Sequence, residues 1–184
     1  MEYRGSKGFP VEYAALGFLM EAPQHGYTLR RDLSAGLGSL WNVALSQLYS
    51  VLHHLVDQGW AEVTVEAQEG RPSRRTYSVT AKGRRAFWRW AFAPVAHPRD
   101  LRVVFLAKVY FLRRLRPKAV RGLIDAQRAQ LREALLSPGK RGSITSDDAA
   151  IAAATQSFRA AQVESAVRWL DENQGLLESA EEEA

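Results

Sequence analysis

The stretch from residue 61 to residue 80 constrains this chain most, because the apolar period changes there. Ala61, Val63, Val65 and Ala67 alternate with Glu62, Thr64 and Glu66; after a turn at residues 69–73, Tyr77 and Val79 alternate with Thr76 and Ser78. A period of two belongs to a half-buried strand, and two such runs joined by a short polar loop read as a β-hairpin. On either side of it the apolar spacing is three and four. The expectation is a mostly helical chain with one small two-stranded sheet.

Three helices are expected ahead of the hairpin. The first, around residues 11–22, sets Ala15, Leu16, Leu19 and Met20 on one side and stops before Pro23. The second repeats leucine every fourth residue (Leu29, Leu33, Leu37) and ends near Gly36 and Gly38. The third, beginning near Trp41, carries an apolar stripe of Leu45, Leu48, Tyr49, Leu52, Leu55 and Val56. Asn42 is its candidate cap, and Gly59 sits where a left-handed C-terminal cap belongs. Ser46, Gln47, Ser50, His53, His54 and Asp57 are left on the opposite face.

Beyond the hairpin, Thr80 is placed to cap a fourth helix over residues 81–93. Residues 93–100 read as a linker, and everything after it is helical, with Asp100 capping one helix and Pro117 in the first turn of the next. The last helix is expected from Ser146 or Asp147 to about Leu177. It has two apolar lines, one with Ala160, Val163, Val167, Leu170 and Leu177, the other with Ile151, Phe158 and Trp169. A surface helix needs one stripe, so two suggest packing on its own chain and on a second copy.

Composition narrows the function class. The chain has no cysteine, which excludes disulfides and thiolate metal sites, and its net charge is +5 with the excess held mid-chain. Residues 99–141 carry 12 Lys/Arg against 3 Asp/Glu, whereas residues 142–184 carry 2 against 9. The run from Arg113 to Arg121 reads as the solvated side of two helices, with a second DNA-facing patch as the alternative. No apolar run reaches the roughly 20 residues of a membrane span, and no leader pattern is seen; a cytoplasmic protein is expected. Neither a phosphate loop nor a dinucleotide glycine fingerprint is present, nor a His/Asp/Ser set at a recognisable spacing, so an enzyme is not expected, and no cofactor. His53 and His54, as helical neighbours, diverge by about 100° and do not converge on a metal ion.

Helix, helix, helix, hairpin, helix is the winged helix-turn-helix order. Four runs resemble the PadR family of bacterial transcriptional regulators: residues 16–33 with the turn His25-Gly26-Tyr27; residues 48–62 with Tyr49, Leu52, Leu55 and Gly59; residues 69–84; and residues 101–111. The resemblance is close over residues 14–90 and looser beyond. One departure is Ala44, where the family often starts its recognition helix with serine or threonine. The resemblance implies a winged helix-turn-helix domain over residues 1–95 and an all-α dimerisation domain over residues 96–184. It also implies a homodimeric regulator of double-stranded DNA, usually a repressor, that leaves a pseudo-palindromic operator when a small hydrophobic or aromatic effector binds. The alternative is the same fold as a constitutive module, architectural on DNA or protein-binding, without an effector.

Within that frame Ser46, Gln47, Ser50, His53 and His54 are the candidate groove-facing residues, because docking favours the N-terminal part of a recognition helix. Gln pairs with adenine N6/N7, and Ser bonds bases or phosphates. On the hairpin, Arg71, Arg74 and Arg75 are the candidate DNA contacts, since guanidinium groups bind phosphate bidentately. Parity groups Arg75 with Tyr77 and Val79 on the inward face, leaving Arg71 and Arg74 as the phosphate-facing pair. In the fourth helix Phe87, Trp90 and Ala91 are expected in the core, and Trp88 with Phe92, four apart on another face, line a candidate effector pocket or pack on the helical region that follows.

Overall fold

The structure is a computed structural model describing residues 11–40, 42–68, 71–136 and 148–179, with the backbone alone at 66–68, 71–73 and 136. The chain divides into two compact units, Met1–Phe92 and Ala93–Ala184.

In the first unit, helix α1 (Val11–Glu21) is buried on nearly every side, with Val11, Ala14, Ala15, Leu16, Phe18 and Leu19 all in the core. A helix apolar all round must lie at the centre, and α1 packs against the three other helices of the unit. Helix α2 (Gly26–Leu37) buries Leu29, Leu33 and Leu37 and ends at Gly38, which stays right-handed. Helix α3 (Leu45–Asp57) buries Leu48, Val51, Leu52 and Leu55. This corrects the expected stripe: Val51 belongs to it, whereas Leu45 and Tyr49 stand exposed. Leu45 and Tyr49 are a turn apart on one edge, rotated off the line that meets α1 and α2. Trp41 lies outside the described residues.

The sheet has three strands rather than two, in the order β1-β3-β2. Strand β2 (Ala61–Gln68) and strand β3 (Arg71–Val79) form the hairpin, with Ala61 opposite Val79 and Glu66 opposite Arg74. The added strand β1 is only Gln24–His25, paired to Tyr77 and Thr76. Two residues carry no legible alternation, which is why the pattern hid it. Core burial stops at Ala61, Tyr77 and Val79, so Val63 and Val65, expected inward, are exposed. Both lie on the edge strand β2, where Val63 stands opposite the buried Tyr77 of the central strand β3 and Val65 opposite Arg75.

Gly59, at φ +65°, ends α3 in the left-handed turn, with its N–H on Val56 O at 2.9 Å and Trp60 N–H on Leu55 O at 2.8 Å. Thr80 caps helix α4 (Ala81–Phe92): its Oγ1 accepts from Gly83 N–H at 3.1 Å while its hydroxyl donates to Gly59 O at 2.7 Å. Lys82 Nζ donates to Gln58 O at 2.7 Å, closing the same junction. Phe87 and Ala91 are buried, and Trp90 stacks on Tyr13 at 5.1 Å between ring centroids.

After residues 93–97, every described element of the second unit is helical. A 3-10 turn (Pro98–Asp100) and a π-helical turn (Leu101–Phe105) lead into α5 (Leu106–Leu115); a 3-10 turn (Pro117–Ala119) leads into α6 (Val120–Leu136), and α7 (Ala149–Glu178) closes the unit. Asp100 does not cap with its side chain, because its backbone (φ −84°, ψ −8°) is already helical rather than extended. Residues 93–97, expected as a linker, are fastened into the unit. The buried Gln127 amide accepts from Val95 N–H at 2.6 Å and donates to Val95 O at 3.0 Å, and Lys108 Nζ donates to Ala93 O at 2.5 Å. Asp148 caps α7, accepting from Ala150 N–H at 2.9 Å and Ile151 N–H at 3.3 Å.

Helices α6 and α7 pack through Leu123, Ile124 and Leu131 on one and Val163, Ala166, Leu170 and Leu177 on the other. Arg128 cross-links them: it donates to Asp171 at 2.7 Å and Gln174 at 2.9 Å, and to Asp125 on its own helix at 2.8 Å.

Candidate nucleic-acid interface

Helix α3 presents a polar face because its core residues fall at positions i, i+3, i+4 and i+7, which leaves the opposite half free. Ser46, Ser50 and His53 are exposed on that half; Gln47 and His54 are half-buried at its flank. Ser50 donates to Ser46 O at 3.1 Å, which fixes its rotamer and leaves its oxygen an acceptor. Tyr49 joins this face, a residue that the apolar pattern had assigned to the core.

No side chain caps α3. Its N-cap is Ala44 in the extended conformation (φ −66°, ψ 145°), and Asn42, two residues outside, does not take that role. The first N–H groups of a helix have no intrahelical partner and carry partial positive charge, which suits an anion such as a phosphate oxygen.

On the hairpin Arg74 and Arg75 are both exposed. Strand parity sets Arg75 with Tyr77 as expected, but Arg75 is exposed whereas Tyr77 is buried, so Arg75 does not turn into the core. The side chain of Arg71 lies outside the described residues. His25, expected only as part of a turn, ties the hairpin to the helix-turn-helix. Its Nδ1–H donates to Arg75 O at 3.1 Å, and Thr76 Oγ1 stands 3.1 Å from the same nitrogen. A carbonyl only accepts, so this contact puts the proton on Nδ1. The base of the arginine-bearing segment is thereby anchored to the turn that opens α2, and the only sequence signal of it was a histidine beside a glycine.

On α4, Trp88 and Phe92 stack at 5.3 Å with an interplanar angle of 14°, and Phe92 is exposed. Among the described residues no group of three or more His, Cys, Asp or Glu is arranged to hold a metal ion, and no helix is long and apolar enough to cross a membrane.

Three helices closed by a hairpin, with a polar-faced third helix, define a winged helix-turn-helix domain. Residues 15–89 match the transcriptional regulator PadR-like family. Over 89 residues the chain is 29% identical to the probable transcriptional regulator Rv1176c of Mycobacterium tuberculosis (strain ATCC 25618 / H37Rv), covering 48% of this chain and 47% of that one. The chain thus spans about half the length of that relative. Over 127 residues it is 28% identical to the negative transcriptional regulator PadR of Bacillus subtilis (strain 168), covering 69% of each. Among solved structures, Bacillus subtilis PadR in complex with operator DNA aligns with 91% of this chain and 98% of its own at 23% identity and a TM-score of 0.46. For smu.1604c of Streptococcus mutans UA159 the figures are 89%, 98%, 22% and 0.45. The family and both relatives are transcriptional regulators, not enzymes.

Proposed function

We propose that this protein is a cytoplasmic, homodimeric transcriptional repressor that binds operator DNA through α3 and the β2–β3 wing. The observation that carries the reading is the exposed, uncapped N-terminal half of α3, bearing Ser46 and Ser50, in the same unit as the exposed guanidinium groups of Arg74 and Arg75. A polar helix face reads base edges, and arginines at a wing bind phosphate or enter the minor groove. Arg71 belongs to this proposal by its place in the wing, and Gln47, His53 and His54 by theirs on α3. Two-fold symmetry of the dimer makes the operator pseudo-palindromic. The relative described as a negative regulator supports repression as the direction of control.

Trp88 and Phe92 are proposed as part of a site for a small hydrophobic or aromatic effector, on the strength of their stacked, partly exposed rings. Selecting bound fragments from the source genome with the purified protein tests the DNA reading: enrichment of one inverted-repeat motif is expected, and enrichment of none overturns it. Titrating the protein with a library of aromatic compounds tests the effector. Quenching of tryptophan fluorescence with loss of operator affinity is expected; a flat response across the library makes the protein a constitutive binding module instead.

A further inference from the structure

The recognition helix carries an apolar edge that the core does not use. Leu45, its first residue, is 37% exposed and Tyr49, one turn on, is 40% exposed, while Leu48, Val51, Leu52 and Leu55 are wholly buried. At about 100° per residue the two side chains lie within roughly 40° of one another on the wheel, bordering Ser46, Ser50 and His53. The Tyr49 ring is also seated. A Cβ built on Gly26, the first residue of α2, would stand 2.9 Å from Tyr49 Cε1 and 3.2 Å from its hydroxyl oxygen. The ring lies in the space that a side chain at residue 26 would fill, so its direction is set by the second helix and not by α3 alone.

We infer that Leu45 and Tyr49 form a reading edge for the 5-methyl group of thymine, with Gly26 as the residue that positions the ring. The inference rests on the DNA-binding reading above and deepens it. In the major groove thymine alone presents an apolar group, and apolar side chains are its complement, whereas hydroxyl and amide groups serve the polar edges. The first two turns of a recognition helix are the part that reaches base edges. Leu45 and Tyr49 occupy those two turns, so one helix face offers hydrogen-bonding residues and an apolar edge side by side.

The test uses the full chain and the operator it selects, with each thymine replaced in turn by uracil, which removes the methyl group and nothing else. Fluorescence anisotropy is expected to show about a fourfold loss of wild-type affinity at one or two thymines per half-site, the size of one methyl burial. Leu45→Ala and Tyr49→Ala should bind thymine and uracil operators alike at those positions, and Tyr49→Phe should keep the preference. Gly26→Ala provides the second line. Only the end of a flexible side chain must move to admit its methyl, so the fold survives while the ring is displaced, and the thymine preference should fall although Tyr49 is intact. Wild-type protein holding its operator with equal affinity for thymine and uracil at every position overturns the inference alone, as does full methyl sensitivity in both alanine variants. Wild-type protein that selects no fragment overturns the regulator reading and this inference with it.

Discussion

Gly83 stands where α4 passes the Trp60 carbonyl, and a Cβ there would overlap that backbone oxygen. The obstacle is main chain held in the Gly59–Thr80 junction, so it cannot step aside as a side-chain end would. Gly83→Ala should destabilise the first unit by about 1–3 kcal/mol, the cost of overpacking, read as a lower denaturant midpoint. Lys108 poses the opposite problem, a charge rather than a methyl in the wrong place. It is 3% exposed, and burial pushes its ammonium from the ordinary 10.5 down to about 8, partly countered by Asp100. Below pH 8 the lysine is charged in both states and its desolvation weighs on the folded state in full. Between about 8 and 10.5 the folded protein releases a proton that the unfolded chain keeps. The unfolded state then binds more protons, and stability rises with pH. Denaturation of wild type and Lys108→Met at pH 7.5 and pH 10 should show a rise, on the order of 2 to 3 kcal/mol at most, in wild type alone.

Elements divide the proposed work on DNA. The wing holds Arg74 on an exposed strand opposite Glu66, anchored at its base by the contact of His25 with Arg75 O. A phosphate contact is independent of sequence, so Arg74→Ala should weaken binding to operator and unrelated DNA together and lower the slope of log affinity against log salt by about 1. Helix α3 bears on sequence. Gln47 lies half-buried at the flank of its exposed face. Gln47→Ala should change the preference among operator variants at one position by about 1–3 kcal/mol and leave the salt slope unchanged. Competition binding at several salt concentrations separates the two effects, and equal behaviour of the two variants would contradict this division.

At the scale of the whole molecule, α7 is divided along its length. Its C-terminal half buries Val163, Ala166, Leu170 and Leu177 and is tied to α6 by Arg128. None of its residues from Ala149 to Gln162 is buried, and Ile151 and Phe158 are exposed at 57% and 64%. Large exposed apolar side chains on a 30-residue helix are the feature behind the proposed homodimer. Phe158→Glu, which removes no intramolecular core contact, should shift the protein from dimer to monomer in sedimentation equilibrium with its helical circular dichroism intact. Leu177→Ala should instead cost about 2–5 kcal/mol of stability.

The periods of the sequence sufficed for the helices, the hairpin and their order, because those depend on spacing along one element: leucine every fourth residue for α2, alternation for β2, a glycine after the last turn of α3. The polar residues proposed for DNA contact were legible for the same reason. What spacing could not carry was how far each neighbour reaches. Val63 and Val65 have the pattern of buried residues but lie exposed on the edge strand of the sheet, and Asn42 has the chemistry of a cap but stands two residues before the N-cap position at Ala44. Leu45 and Tyr49 are hydrophobic, so periodicity counted them into the core; in the fold they stand exposed on one edge of α3, with the Tyr49 ring in the space that a side chain at Gly26 would fill. Residue types and spacings thus determined the elements and their amphipathic faces. The tertiary structure decided which apolar residues those faces bury and which they present, because burial depends on the surfaces of other elements that a single stretch of sequence does not contain.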